Sequence, residues 1–165
     1  MLSGNGEDDD CLKLALLVYK AGQAWGGDPI RVVSGLLNGL TERAGVFGDS
    51  DPNYRVGVMR RDYYYGNSFG SGGFLPQYQG PPRDNQVRHF IAWFGAGFNI
   101  PSVLARQALY SEERTSDPRD PEVALGLAGI QMANDYDIGN YDSYKDLAQR
   151  VWREICGRKD GLKLP

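Results

Sequence analysis

The sequence predicts an all-α fold: a compact bundle of five or six helices with one long Gly/Tyr-rich loop over residues 46–83. Three observations carry that expectation. Apolar residues recur at the three- and four-residue spacing of a helix face in separate stretches along the chain. Those stretches open at Asp, Asn or Pro and several close at Gly, the residues that start and stop helices. Between the second and third stretch the composition shifts to Gly, Tyr, Pro, Asn and Ser. The 165 residues suit a single domain over 1–165, with 1–9 and 158–165 as loose tails.

The first helix runs from Asp10 to about Trp25, with Asp8, Asp9 and Asp10 supplying a cap and charge for its positive end. The run Leu12–Tyr19 is apolar nearly all round, so this helix is expected to be largely buried, and Gly26-Gly27 ends it. The second opens with Asp28 as cap and Pro29 at the first helical position. Its stripe is Val33, Leu36, Leu37, Leu40 and Ala44, and Gly45 stops it. Residues 46–83 read as an ordered loop whose aromatics pack it down, with a pattern that allows a short β-hairpin through Tyr54–Met59 and Asp62–Tyr65.

A third helix begins near Asp84. Val87, Phe90, Ile91, Phe94 and Phe98 form one stripe, while Asn85, His89, Ala92, Trp93 and Ala96 form the other side. A helix apolar or small on both sides is central, and Gly95 to Gly97 allow a neighbouring backbone to come close. Asn99-Ile100-Pro101 breaks the chain, and Pro101 opens a fourth helix with Leu104, Ala105 and Ala108 inward and a fraying end at Ser111–Arg114. The fifth runs from Pro121 or Glu122 to Asn134 and is again small and apolar. The sixth runs from Asp142 to Cys156 with Tyr144, Leu147, Ala148, Val151 and Ile155 facing inward, before a loose tail from Gly157 to Pro165. Helices one, three and five are the expected interior.

The charge balance is −3, which argues against a protein held to double-stranded nucleic acid by bulk charge. No run reaches the ~18 apolar residues of a membrane span. Cys11 and Cys156 are either two buried thiols or one disulfide, and a disulfide points to an oxidising compartment. The acidic N-terminus lacks the pattern of a signal peptide, so the expected location is cytoplasmic, or secreted with the signal absent from this chain. Two distant cysteines and one histidine supply too few ligands for a metal, and no cofactor is expected. There is no phosphate-loop Gly-Lys-Ser/Thr and no Gly-x-Ser-x-Gly elbow.

One segment concentrates polar groups where a buried helix begins: Arg83-Asp84-Asn85-Gln86-Val87-Arg88-His89-Phe90. Asn85 stands four residues before His89 and can reach its ring. A buried histidine needs partners, since an unsatisfied one costs roughly 1–3 kcal/mol. The suppliers expected are Glu112 and Glu113 at the end of the fourth helix, and Gln131, Asn134 and Asp135 at the end of the fifth. A carboxylate on His89 makes it a general base near neutral pH, with Arg88 beside it for developing negative charge. The hydrolase reading therefore names His89, Arg88, Glu112, Glu113 and Asp135 as catalytic, and Asn85, Trp93 and Tyr64 as substrate-binding. The bland alternative for each is structural: a core histidine that pins packing, solvated helix ends, capping aspartates. Two other readings stand beside it. One is a non-enzymatic interaction module that binds a protein through loop 46–83, whose Tyr and Arg suit interfaces. The other is a subunit of an assembly. The substrate and the oligomeric state are not read from the sequence.

Overall fold

The computed structural model describes residues 9–40, 69–81, 85–136, 139–140 and 142–164. Most of the loop 46–83, with its expected hairpin, and Tyr64 lie outside the described residues, as do Leu40's side chain, Ala44 and the stop at Gly45. The described chain is helical, without a strand among the described residues: α1 (Asp10–Ala24), α2 (Pro29–Leu40), α3 (Gln86–Asn99), α4 (Ser102–Glu113), α5 (Pro121–Asn134) and α6 (Ser143–Arg150), with a short 3₁₀ turn at Pro76–Tyr78.

Caps set the starts. Asp9 accepts from Leu12 N–H at 3.0 Å, Asp28 from Ile30 N–H at 3.1 Å, Asn85 from Arg88 N–H at 3.0 Å, and Asp120 from Glu122 and Val123 N–H at 2.9 and 3.3 Å. Each satisfies main-chain donors that a helix leaves open, a contribution of about 1 kcal/mol apiece. Pro29 and Pro121 hold first helical positions, where no donor is lost.

The core forms where α1, α2, α3, α5 and α6 meet. Val87, Phe90, Ile91 and Phe94 of α3 are buried, as are Ala92, Trp93 and Ala96 on its other side. That two-sided burial makes α3 the central helix, as its composition requires. Glycines let α5 lie against it. A Cβ on Gly97 would stand 2.7 Å from the Ile130 Cα, and one on Gly129 would stand 3.1 Å from both Phe90 O and Phe94 N. These contacts also set the direction. Early α3 meets early α5 and late α3 meets late α5, with α4 as the return between them, so α3 and α5 run in the same sense.

Three features differ from the sequence reading. In α4 the buried residues are Ala105 and Leu109, Leu109 lying against Gly126, whereas Leu104 is 53% exposed and Ala108 is also exposed. The helix touches its neighbours along one narrow line, so only part of its apolar pattern is covered. The last helix does not stay α to its end: Val151–Ile155 forms a π turn, with Cys156 N–H donating to Val151 O at 3.1 Å. The segment after Gly157, expected loose, is tied down. Gln149 brackets Leu162 by donating to its carbonyl at 3.0 Å and accepting its N–H at 2.8 Å, and Trp152 Nε1 donates to Asp160 O at 2.9 Å. Leu162 is buried in consequence.

The two cysteines meet. Cys11 and Cys156 have their sulfurs at bonding distance and their Cα atoms 5.7 Å apart across a separation of 145 residues. The tie closes α1 against the end of the last helix, and further along α1 the Tyr19 and Tyr144 rings meet at 5.8 Å between centroids.

Candidate functional site

His89 lies in the first turn of α3, on the side that faces α5. Its ring is gripped by one residue. Nε2 is 2.7 Å from the Glu122 main-chain carbonyl, and Nδ1 is 2.9 Å from Glu122 Oε2. A carbonyl only accepts, so Nε2 carries hydrogen and donates it. Glu122 is the second residue of α5, placed by the Asp120 cap and Pro121. Glu113, the last residue of α4, brings a second carboxylate. One donor atom from each of His89, Glu113 and Glu122 lies within 4.8 Å of the others. The site is partly open to solvent, the His89 and Glu122 side chains being 14% and 18% exposed. Trp93, one turn on from His89, presents an edge-on ring at 6.4 Å between centroids.

The electrostatics follow from this crowding. Burial works against the imidazolium, but the bond from Glu122, its charge and the charge of Glu113 together outweigh it, and the His89 pKa is raised. Glu113 is pushed above the usual carboxylate value by burial, against the pull of His89 and with help from the like charges of Glu122, Asp120 and Glu112. The unit holds one imidazole and two carboxylates, with Asp120 and Glu112 near enough to act on Glu113 through their charge.

The sequence-predicted site is therefore assembled in part. His89 and Glu113 come together. Glu112 is exposed beside them and acts through its charge on Glu113. Asp135 does not belong. It ends α5, about 20 Å along the helix from Glu122, and instead accepts from Arg150 at 2.6 Å and from Gln131 at 3.1 Å. Gln131 is thereby committed to that end too, and Asn134 donates to the Ser102 hydroxyl at 2.9 Å. The physical reason is direction: because α3 and α5 run the same way, the first turn of α3 meets the start of α5. Asn85 serves as the α3 cap through its side-chain oxygen, and the Arg88 N–H is the donor to it. Gln86 is fully buried, its amide donating to Tyr78 O at 2.7 Å.

Glu122 is the residue that sequence reasoning missed. Its signal was Asp120-Pro121-Glu122, which reads as a helix start and nothing more. Among the described residues, cavities elsewhere along α5 include one of about 420 Å³ edged by Tyr78, Arg106, Tyr110 and Gln131, and one of about 240 Å³ edged by Asp135, Asn140, Ser143 and Arg150. His89 lines neither. Comparison with protein-family models, curated proteins and solved structures finds no match for this chain.

Proposed function

We propose that the His89–Glu122–Glu113 cluster is the working centre of a hydrolase. The observation that supports the reading is the convergence of an imidazole and two carboxylates from three helices at a solvent-reachable point of an otherwise apolar α3–α5 contact. The His89 and Glu113 pKa values are both displaced by this crowding, and displaced pKa values concentrate at functional sites. The roles differ from those expected of the sequence. Both nitrogens of His89 are held by Glu122, so the imidazole fixes Glu122, while Glu113 is the group placed to act on water. Glu113 takes a proton from water, the water oxygen bonds to the electrophilic carbon, and Glu113 returns the proton to the leaving group as the bond to it breaks. The cysteine pair at bonding distance favours an oxidising compartment for this activity.

The test is turnover of a panel of chromogenic esters, peptides and glycosides by the wild type, Glu113→Gln and His89→Gln, with circular dichroism as the fold control. Loss of about 10²–10⁴ in rate in Glu113→Gln with the helical signal intact is the expected result. Full activity in both folded variants would overturn the reading.

A further inference from the structure

We propose that the same cluster is a divalent transition-metal site, with His89 Nδ1, Glu122 and Glu113 as its ligands. The inference rests on the reading of this cluster as the working centre and names the ion it takes; with that ion bound, His89 and Glu113 would serve as ligands, and the ion would supply the activation of water that Glu113 supplies in its absence.

The argument starts with the tautomer. Nε2–H is committed to the Glu122 carbonyl at 2.7 Å. Nδ1 of a neutral ring then presents a lone pair to Glu122 Oε2 at 2.9 Å, where the carboxylate presents lone pairs of its own. Two acceptors face each other at hydrogen-bond distance, so something positive belongs between them. In the metal-free protein a proton fills that place. A main-chain carbonyl that holds one imidazole N–H and turns the other nitrogen toward an ion is also the arrangement by which proteins orient metal-binding histidines.

The spacing agrees. An octahedral ion with bonds of about 2.1 Å separates neighbouring donors by about 3.0 Å and opposite donors by about 4.2 Å. The Nδ1–Oε2 distance of 2.9 Å fits a neighbouring pair, and all three donors already lie within 4.8 Å of one another. The positive end of α5 offers little opposition, because the Asp120 carboxylate already caps it. One imidazole with two carboxylates suits a borderline ion such as Zn²⁺ or Mn²⁺. No free thiol competes for it.

Counting only cysteine and histidine, as the sequence reading did, leaves these carboxylates out. The proposal is tested on the full, oxidised chain dialysed against chelator, by calorimetric titration with ZnCl₂ and MnCl₂. The expected result is one saturable site per chain, weakened at least tenfold in Glu113→Gln and in His89→Asn, and unchanged in Asp135→Asn at the far end of α5. If His89→Asn does not fold, Glu113→Gln decides alone, since Glu113 is the least buried ligand. Absence of a saturable site for either ion, or wild-type binding in Glu113→Gln, overturns the proposal. Calorimetry needs no substrate, so binding without turnover would sink only the hydrolase reading. Turnover that persists in chelator, with no ion bound, would sink only the metal.

Discussion

Reduction of the Cys11–Cys156 pair is expected to remove a large share of the stability of this fold. The two residues stand 145 apart in sequence and 5.7 Å apart at Cα, so a bond between them closes nearly the whole chain. In the loop-entropy account, a closure of that length restricts the unfolded ensemble by about 5 kcal/mol. A domain of this size is stable by only about 5–15 kcal/mol in total. At about 2–4 °C per kcal/mol, the melting temperature should fall by about 10–20 °C on reduction. The midpoint in urea should fall by about 2.5 M, taking a slope near 2 kcal/mol/M. The assay is thermal and urea unfolding with and without dithiothreitol, with a Cys11→Ala/Cys156→Ala double variant to separate the bond from the reductant. The packing of α1 on α6 does not depend on the bond: a Cβ on Gly22 would collide with the Tyr144 ring, so the two helices are already close at the end of α1 away from Cys11. Reduced protein should therefore keep its helical signal at low temperature while melting early. Superposed melting curves for oxidised and reduced protein, or two titratable thiols in the folded oxidised protein, would refute the reasoning.

Two further outcomes follow from the site and its packing. His89 has a raised pKa in the folded state, so its contribution to stability is complete below the ordinary value near 6.5 and is lost as pH rises through the higher folded value. Melting temperature should thus decline from pH 6 upward through neutrality in the wild type, and that slope should flatten in His89→Gln; identical profiles would count against the ion pair. Gly97→Ala should destabilise by about 1–3 kcal/mol, because its Cβ would meet the main chain of α5 at Ile130 rather than a side chain able to move. Urea titration reads this, and a neutral result would mean the α3–α5 approach is looser than the 2.7 Å contact implies.

The parts of the fold legible in the sequence were those governed by local chemistry. Asp9, Asp28 and Asp120 cap helices because an aspartate ahead of an apolar run satisfies open N–H groups wherever it occurs. The central place of α3 followed from apolar residues on both its sides. The illegible parts depended on what lay across the gap. Leu104 and Ala108 share the spacing of Ala105, but α4 is covered along a single line, and nothing within its own twelve residues says which line. The π turn at Val151–Ile155 inserts one residue into the spacing without altering the residue types, so a 3.6-residue period passes over it. Gln149 gave no sign that it would bracket Leu162 thirteen residues later.

The site shows the same division at closer range. His89 was legible as a polar ring on a buried helix that needs partners, and Glu113 as one of the acids near enough to supply one. The choice between Glu122 and Asp135 turned on a property no single helix carries, the relative direction of α3 and α5. Short α4 reverses the chain once on each side, so the helices that flank it run the same way and their first turns meet. That arrangement also explains why one residue serves both ring nitrogens. At the start of α5 the Glu122 carbonyl and side chain lie on the same turn, and the close approach permitted at Gly97 and Gly129 brings the whole turn onto the imidazole. A wider helix separation would leave room for one of the two contacts but not both. Gly97 of α3, within the stretch read from the sequence as allowing close approach, and Gly129 of α5 are therefore also what sets the geometry of the polar centre.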